Sequence, residues 1–337
     1  MNHRKITLVA FCSVKGGVGK SALSTMAASF FQRRGQSVLV LDCDFLGTSL
    51  ADGLPLMAPR IPVTDDGWMR PDAEPTNDWL SRGETIRLRD LRADGTDHHD
   101  PSVAPPPFLN DVAHWAAQHP NNSHLLSNTM WKHEGVGRSP FFLPSSSLIP
   151  DVDVALQGIF HDGGERWANN IAFVLRHVAV FRQDISVVIL DLPPGIYAFS
   201  QQLLGVLVRL KHKSPMSEGG PSDLGEVADW AVRPYLVLSQ DRGDLYVGLE
   251  VYANLLRYDF GLVPLLNRHT EAPTRIRQVI TQRFAHGPYR HERLEQTLVM
   301  VGEHPGIFGQ LFLGGGLVGK EVPDDLGEIL AGQEVSK

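Results

Sequence analysis

An α/β fold, with a mainly parallel twisted sheet and helices on both faces, is predicted by three features of the sequence. Short β-branched and apolar runs recur at Ile6–Phe11, Ser37–Leu41, Ser186–Leu190, Pro234–Leu238, Leu262–Leu266 and Thr297–Val301. Several follow helix-length segments, the alternation of βαβ units whose strands are buried on both faces. A glycine-rich turn joins the first run to the first helix-type segment.

That turn is Cys12-Ser13-Val14-Lys15-Gly16-Gly17-Val18-Gly19-Lys20-Ser21, and the helix-type segment runs from Lys20 to Arg34. Strand, glycine-rich turn and helix together let backbone N–H groups and a helix N-terminus converge on phosphate. Gly16, Gly17, Val18, Gly19 and Ala22 belong to this cradle. Lys20 supplies a point charge for β- and γ-phosphates, and Ser21 a hydroxyl for Mg²⁺. The spacing departs from G-x-x-x-x-G-K-[ST], because Val14 holds the place of the first glycine. Lys15 and Gly16 stand next to it instead.

The second run ends in Leu41-Asp42-Cys43-Asp44-Phe45. Ligands of α/β sheets bind at the carboxyl edge of the strands, where the phosphate loop also opens. Alternation along a strand places Asp42 and Asp44 on one face and Cys43 on the other. Further along, Trp167, Ile171, Val174, Leu175, Val178 and Phe181 fall at helical spacing and predict a helix packed on the sheet. The run after it, Val187-Val188-Ile189-Leu190-Asp191, ends in an aspartate placed to hold Mg²⁺ directly or through water. Gly195, in Leu192-Pro193-Pro194-Gly195, is free to turn its N–H towards a phosphate. The run Val263-Pro264-Leu265-Leu266 closes on Asn267-Arg268.

Taken together, K-G-G-V-G-K-S resembles the deviant Walker A motif of the ParA/MinD superfamily of dimeric P-loop ATPases. Asp44 matches the switch I aspartate that orients or activates the attacking water, and D-L-P-P-G-I resembles switch II. Asn267 is similar to the family's adenine-contacting asparagine, with Arg268 beside it, and Phe141-Phe142-Leu143-Pro144-Ser145-Ser146 resembles its Leu-Pro-Ser strand. The matched segments span residues 6–50, 141–210 and 230–270.

The resemblance implies a Mg²⁺-dependent ATPase, slow and stimulated by a partner, that forms a homodimer around two ATP molecules. In that family the signature lysine, here Lys15, reaches the partner's phosphates. Lys15, Lys20 and Asp44 are then the catalytic set. Ser21, Asp191 and Asp44 are the Mg²⁺ set, and Gly195, Asn267 and Arg268 contact nucleotide.

Composition bounds the setting. The chain has 337 residues, 42% hydrophobic and 20% charged, as expected of a soluble globular protein, and it can bury a full core. A single ATPase domain over 1–337 is expected, with a Pro- and Trp-rich irregular insertion at 51–140 and a flexible polar loop at 211–226. Thirteen of the 23 prolines and four of the six tryptophans lie between 51 and 150. That much tryptophan argues against pure disorder. The two switch aspartates, Asp44 and Asp191, stand 147 residues apart, a longer gap than in compact family members.

A net charge of −7 argues against a globally basic nucleic-acid binder. From Arg268 to Arg293, however, six arginines face two glutamates, and DNA is one expected partner there. Asp97-His98-His99-Asp100 lacks further ligands at metal-site spacing and reads as a solvated loop. No apolar run reaches membrane-span length, Met1–Lys5 leads directly into a core strand, and the 320–337 tail is acidic. A cytoplasmic location without membrane binding follows as an expectation.

Three uses of such a switch compete with one another and with a different class of enzyme. The dimer would position a cargo or DNA, or gate a multiprotein machine through the insertion. A metal-cofactor carrier would need intersubunit cysteines, to which Cys12 and Cys43 at predicted strand ends are poorly suited. A biosynthetic ligase on the same fold would need a small-molecule pocket and no Lys15-dependent dimer.

Overall fold

The computed structural model describes residues 4–47, 50–64, 69–93, 105–134, 139–196, 198–258, 260–284, 298–304 and 323–331. Its nine strands are β1 (Lys5–Ser13), β2 (Val38–Asp42), β3 (Leu56–Met57), β4 (Trp131–His133), β5 (Phe141–Leu143), β6 (Val187–Pro194), β7 (Asp229–Ser239), β8 (Val263–His269) and β9 (Val299–Gly302). They form one sheet in the order β3-β4-β5-β2-β6-β1-β7-β8-β9. The pairings are parallel except at the β3-β4-β5 edge, where both are antiparallel. Each of the six apolar runs overlaps a strand among the described residues.

Two helical layers cover the sheet, and period-two alternation assigns each strand residue to one of them. On β1, Ile6, Leu8, Ala10 and Cys12 join one core cluster, and Val9 and Phe11 the other. The first cluster takes α4 (Leu109–Gln118), α7 (Glu165–Phe181), α8 (Phe199–His212), α9 (Arg242–Leu255) and α10 (Pro273–Phe284). The second takes α1 (Lys20–Arg33) and α11 (Asp324–Ala331). Ala22, Ala27 and Ala28 let α1 lie close to the sheet beneath the phosphate loop.

Proline marks where strand pairing begins. Pro234 comes one residue before β7 starts to pair with β8, and Pro264 one residue before β8 starts to pair with β9. A residue without an N–H is tolerated at such edges.

The segment between β2 and β5 adds β3, β4, α2 (Leu50–Gly53), α3 (Arg82–Ala93), α4 and α5 (Leu125–Thr129). Its tryptophans account for much of its order. Trp131 is buried against Phe108, ring centroids 5.3 Å apart, and its Nε1–H donates to the Pro107 carbonyl at 2.6 Å. Between β5 and α7 lies α6 (Ile149–Asp162), joined to α7 by Gly163 and Gly164. The polar 211–226 segment lies along α7, where Arg176 forks onto Asp223 and Asn169 Nδ2 donates to the Glu218 carbonyl.

Candidate functional site

The carboxyl edges of β1, β2, β6 and β8 carry the glycine-rich loop, Asp42, Asp44, Asp191, Gly195, Asn267 and Arg268. Parallel register sets Asp191 beside Phe11 of β1 on one side and Asp42 of β2 on the other. The Cys43 N–H donates to the Asp191 carbonyl at 2.8 Å, fixing the two acidic strand ends together.

The phosphate loop leaves β1 at Ser13, whose Oγ–H donates to the Lys15 carbonyl at 2.7 Å. Gly19 caps α1 with φ 93°, and a Cβ there would stand 2.6 Å from Asn267 Nδ2. Only glycine satisfies both the left-handed backbone and that contact. Asn267 is fully buried and donates from Nδ2 to the Val18 carbonyl at 2.8 Å, so β8 braces the loop directly. Its Oδ1 is buried with no hydrogen-bond donor. The Arg268 guanidinium stands alongside Gly19.

Charge is distributed unevenly over the two lysines. Lys20 is 6% exposed and its charge acts on Asp44, Asp191 and Cys12. Lys15 is exposed, its Nζ about 3.6 Å from where a Cβ on Gly243 of α9 would lie.

The three aspartates differ in role. Asp42 Oδ2 accepts from the Leu50 N–H at 2.9 Å, the Ser145 N–H at 3.2 Å and the Ser145 Oγ–H at 2.9 Å. It therefore ties the switch I turn to the end of β5. This tie was not read from the sequence, although its signal lay in the Leu-Pro-Ser run. Asp44 turns back on its own loop, bonding the Leu46 and Gly47 amides, and leaves Oδ1 buried without a partner. Both oxygens of Asp191 lack a well-formed hydrogen bond; the Ser21 hydroxyl is near enough to favour its ionised form but not aligned to bond it.

Burial drives the carboxyl pKa values of Asp42, Asp44 and Asp191 above the usual carboxylate range. The negative neighbours of Asp191 push further in the same direction, and Lys20 opposes them. A buried carboxylate lacking donors, beside a hydroxyl and a second carboxyl with an orphan oxygen, is a hard-oxygen donor set suited to Mg²⁺. Such an ion is completed by phosphate and water rather than by an all-protein cage. Consistently, no group of three or more His, Cys, Asp or Glu forms a metal site among the described residues.

Other candidates sort as follows. The Gly195 N–H donates to the Ser13 carbonyl at 2.8 Å, so in this conformation it is turned away from phosphate and onto the end of β1. Within the Arg268–Arg293 stretch, Arg275 pairs with Glu271 at 2.9 Å and Arg277 donates to the Leu298 carbonyl at 3.4 Å. Arg290 and Arg293 lie outside the described residues, as does Asp97–Asp100. Cys12 and Cys43 are both fully buried; desolvation pushes the Cys12 thiol up to about 12 and raises that of Cys43 strongly. No described helix is long and apolar enough to cross a membrane.

A loop on a helix N-terminus, a buried lysine within it and acidic strand ends around it are the parts of a phosphate-binding site. The family model described as "ParA: NUBPL iron-transfer P-loop NTPase" matches residues 4–85. Over 69 residues the chain is 38% identical to the cytosolic Fe-S cluster assembly factor nubp2 of Danio rerio, covering 20% of this chain and 26% of that protein. The chain thus spans about a quarter of that relative's length. The fold is similar to a ParA family ATPase of Chlorobium tepidum, with a TM-score of 0.52, 14% identity and coverage of 96% and 98% of the two chains. It is also similar to the MinC:MinD cell division complex of Aquifex aeolicus, with a TM-score of 0.49, 13% identity and 98% coverage of each chain. Residues 4–85 are thus similar in sequence to ParA-type P-loop NTPases, and the whole chain is similar to one in fold.

Proposed function

We propose that the chain is a Mg²⁺-dependent ATPase that acts as an ATP-controlled dimerisation switch. The observation that carries this reading is the division of labour between the loop lysines. Lys20 is buried among its own chain's carboxyls, whereas Lys15 points outward beside α9. An outward cation at the rim of a phosphate site can neutralise phosphate charge on a second copy as phosphoryl transfer proceeds.

Within one site, Gly16 to Ala22 wrap the phosphates and Lys20 offsets their charge. Ser21, Asp191 and Asp44 offer the oxygens for Mg²⁺, which when bound with nucleotide neutralises phosphate oxygens. Burial raises the basicity of Asp44, which suits it to orient water and accept its proton. Asn267 keeps its buried Oδ1 as an acceptor beside the loop, the group that an adenine amine would engage. Hydrolysis would then release the surface assembled by the ATP-bound pair, which is how such a switch would position or regulate a cargo, DNA or a protein assembly.

Light scattering of the protein with ATP and with ADP tests this. Wild type should dimerise with ATP, and Lys15→Ala should stay monomeric while still binding ATP. A Lys15→Ala variant that dimerises like wild type overturns the mechanism.

Iron–sulfur handling, as in the matched nubp2 protein, is a second reading favoured by the match over 4–85. Cluster binding needs thiolates at an accessible edge. Cys12 and Cys43 are buried and desolvation disfavours their thiolates, so neither suits cluster ligation. DNA binding through Arg268–Arg293 draws less support, since Arg268 faces the phosphate loop and Arg275 is paired.

A further inference from the structure

Away from the phosphate loop, α4, α6 and α7 enclose a cleft of about 520 Å³, within the range of small-molecule sites. Asn110, Trp115, Gly158, Asp162, Trp167 and Asn170 line it. Trp167 and Asn170 stand three residues apart on α7 and so share one of its faces. Opposite them, Gly158 of α6 leaves the space open, since a Cβ there would lie 2.5 Å from Trp167 Nε1.

The cleft gathers hydrogen-bonding groups that the fold does not use. Asn170 and Trp167 are each 9% exposed, and neither side chain makes a hydrogen bond among the described residues. Asn110, 8% exposed, accepts the Ser146 N–H at Oδ1, 2.9 Å, and keeps Nδ2 buried without an acceptor. Buried amides elsewhere behave differently: Asn128 donates to the Pro71 and Ala73 carbonyls, and Asn169 bonds Glu218 and Ser217. A buried amide without a partner costs stability, so three unused groups around one cleft point to a ligand. Asn267 is another buried asparagine with an orphan atom, and it stands at the nucleotide site.

These groups select the chemistry of that ligand. The two amides and the indole N–H need acceptors. Asp162 needs donors: its oxygens accept the Gly164 and Arg166 N–H groups and keep further lone pairs. A hydroxyl both donates and accepts, so a compact set of hydroxyls meets all of them. The nine-tenths buried donors are neutral, which suits hydroxyls better than an anion. Trp115, half-buried on α4, adds indole surface for the C–H face of a ring.

We infer that the α4–α6–α7 cleft binds a small neutral polyhydroxylated ring, a sugar or cyclitol, and that its occupancy is coupled to the nucleotide switches. The coupling rests on the NTPase reading above; the binding site does not. Two contacts carry the coupling. Asn110 holds Ser146, and the adjacent Ser145 holds Asp42. Trp167 packs on Phe45, the residue after Asp44, with ring centroids 4.8 Å apart. A ring bonded to Asn170 and the Trp167 indole would fix Trp167, and with it Phe45.

The test titrates the full chain with D-glucose, N-acetylglucosamine, maltose and myo-inositol, read by tryptophan fluorescence and saturation-transfer NMR. Uracil, a planar amide ring without hydroxyls, and sulfate, an anion, are titrated beside them. At least one polyol should saturate, and uracil and sulfate should not. Asn170→Leu should weaken that polyol about tenfold through the lost hydrogen bonding. Its melting temperature should hold or rise, because an unbonded buried amide gives way to an apolar side chain. Saturation by none of the four polyols, or wild-type affinity in Asn170→Leu, overturns the site. A lower melting temperature in Asn170→Leu shows that the amide serves the fold and overturns it too. Saturation by uracil or sulfate in place of the polyols overturns the ligand class. Wild type should bind the polyol with different affinity in ADP and in a non-hydrolysable ATP analogue; equal affinities overturn the coupling. Absence of ATP binding by the wild type, measured separately, sinks the NTPase reading while leaving the polyol titration intact.

Discussion

Asn267→Ala separates two roles that one asparagine could have. The Nδ2–Val18 bond of 2.8 Å is buried, and Val18 itself is buried, so truncation leaves a carbonyl without donor or water. An unsatisfied buried acceptor costs about 1–3 kcal/mol. At about 2–4 °C per kcal/mol for a domain of this order of size, the apo protein should melt about 2–12 °C lower. ATP affinity should also fall, by about tenfold if roughly 1.4 kcal/mol of loop preorganisation is lost. Asn267→Asp should be worse in both respects, because a carboxylate oxygen would face the Val18 carbonyl. Differential scanning fluorimetry without nucleotide and equilibrium titration with a fluorescent ATP analogue measure the two effects. If Asn267→Ala lowers ATP affinity and leaves the apo melting temperature unchanged, Asn267 contacts the base alone and the brace is wrong.

Three further outcomes follow from the same geometry. Asp191 has its folded-state pKa raised, chiefly by desolvation and then by Asp42, so its contribution to stability is full below the unfolded carboxyl value and is lost as pH rises through the folded one. In nucleotide-free melts, Asp191→Asn should therefore gain on wild type as pH rises from acid to neutral; a constant offset would show that Asp191 is not desolvated. Gly164→Ala should destabilise by about 2–5 kcal/mol, since Gly164 has φ 84° and a Cβ would lie 2.5 Å from the Phe199 Cα, and a denaturant midpoint near wild type would refute that packing. Asp44→Ala should retain ATP and fail to hydrolyse it, read by single-turnover phosphate release; wild-type turnover would remove Asp44 from the chemistry.

Much of this architecture was legible because the central strands are buried on both faces. Such strands are near-continuous apolar runs, and β1, β2, β6, β7, β8 and β9 each showed one. The edge showed no periodicity for the opposite reason, and β5 was readable only through its resemblance to a Leu-Pro-Ser strand. β3 has two residues, β4 and β5 three each, too short for any period to show. Helix α6 hid for another cause: it buries only Ala155, so its apolar residues follow no inward stripe. At the site, the glycine-rich loop and the carboxylates Asp44 and Asp191 at strand ends were readable as positions from residue type and place. The division between Asp42 as a structural tie and Asp44 as the freer carboxyl was not. The two alternate on one strand end, and only the partners Leu50 and Ser145, 8 and 103 residues away, distinguish them.

The sequence match ends at residue 85, whereas the fold match covers 96% of the chain. Around phosphate, the backbone leaves little choice. Gly19 must accommodate Asn267, and Lys20 must sit among carboxyls that burial would otherwise protonate. The helices that cover the sheet need only apolar residues at the right period, which many sequences satisfy. Residue identity is therefore more constrained by close contacts at the loop than in the covering helices. Helix α6 lies beyond residue 85, yet touches the nucleotide edge through Trp167 and Ser146.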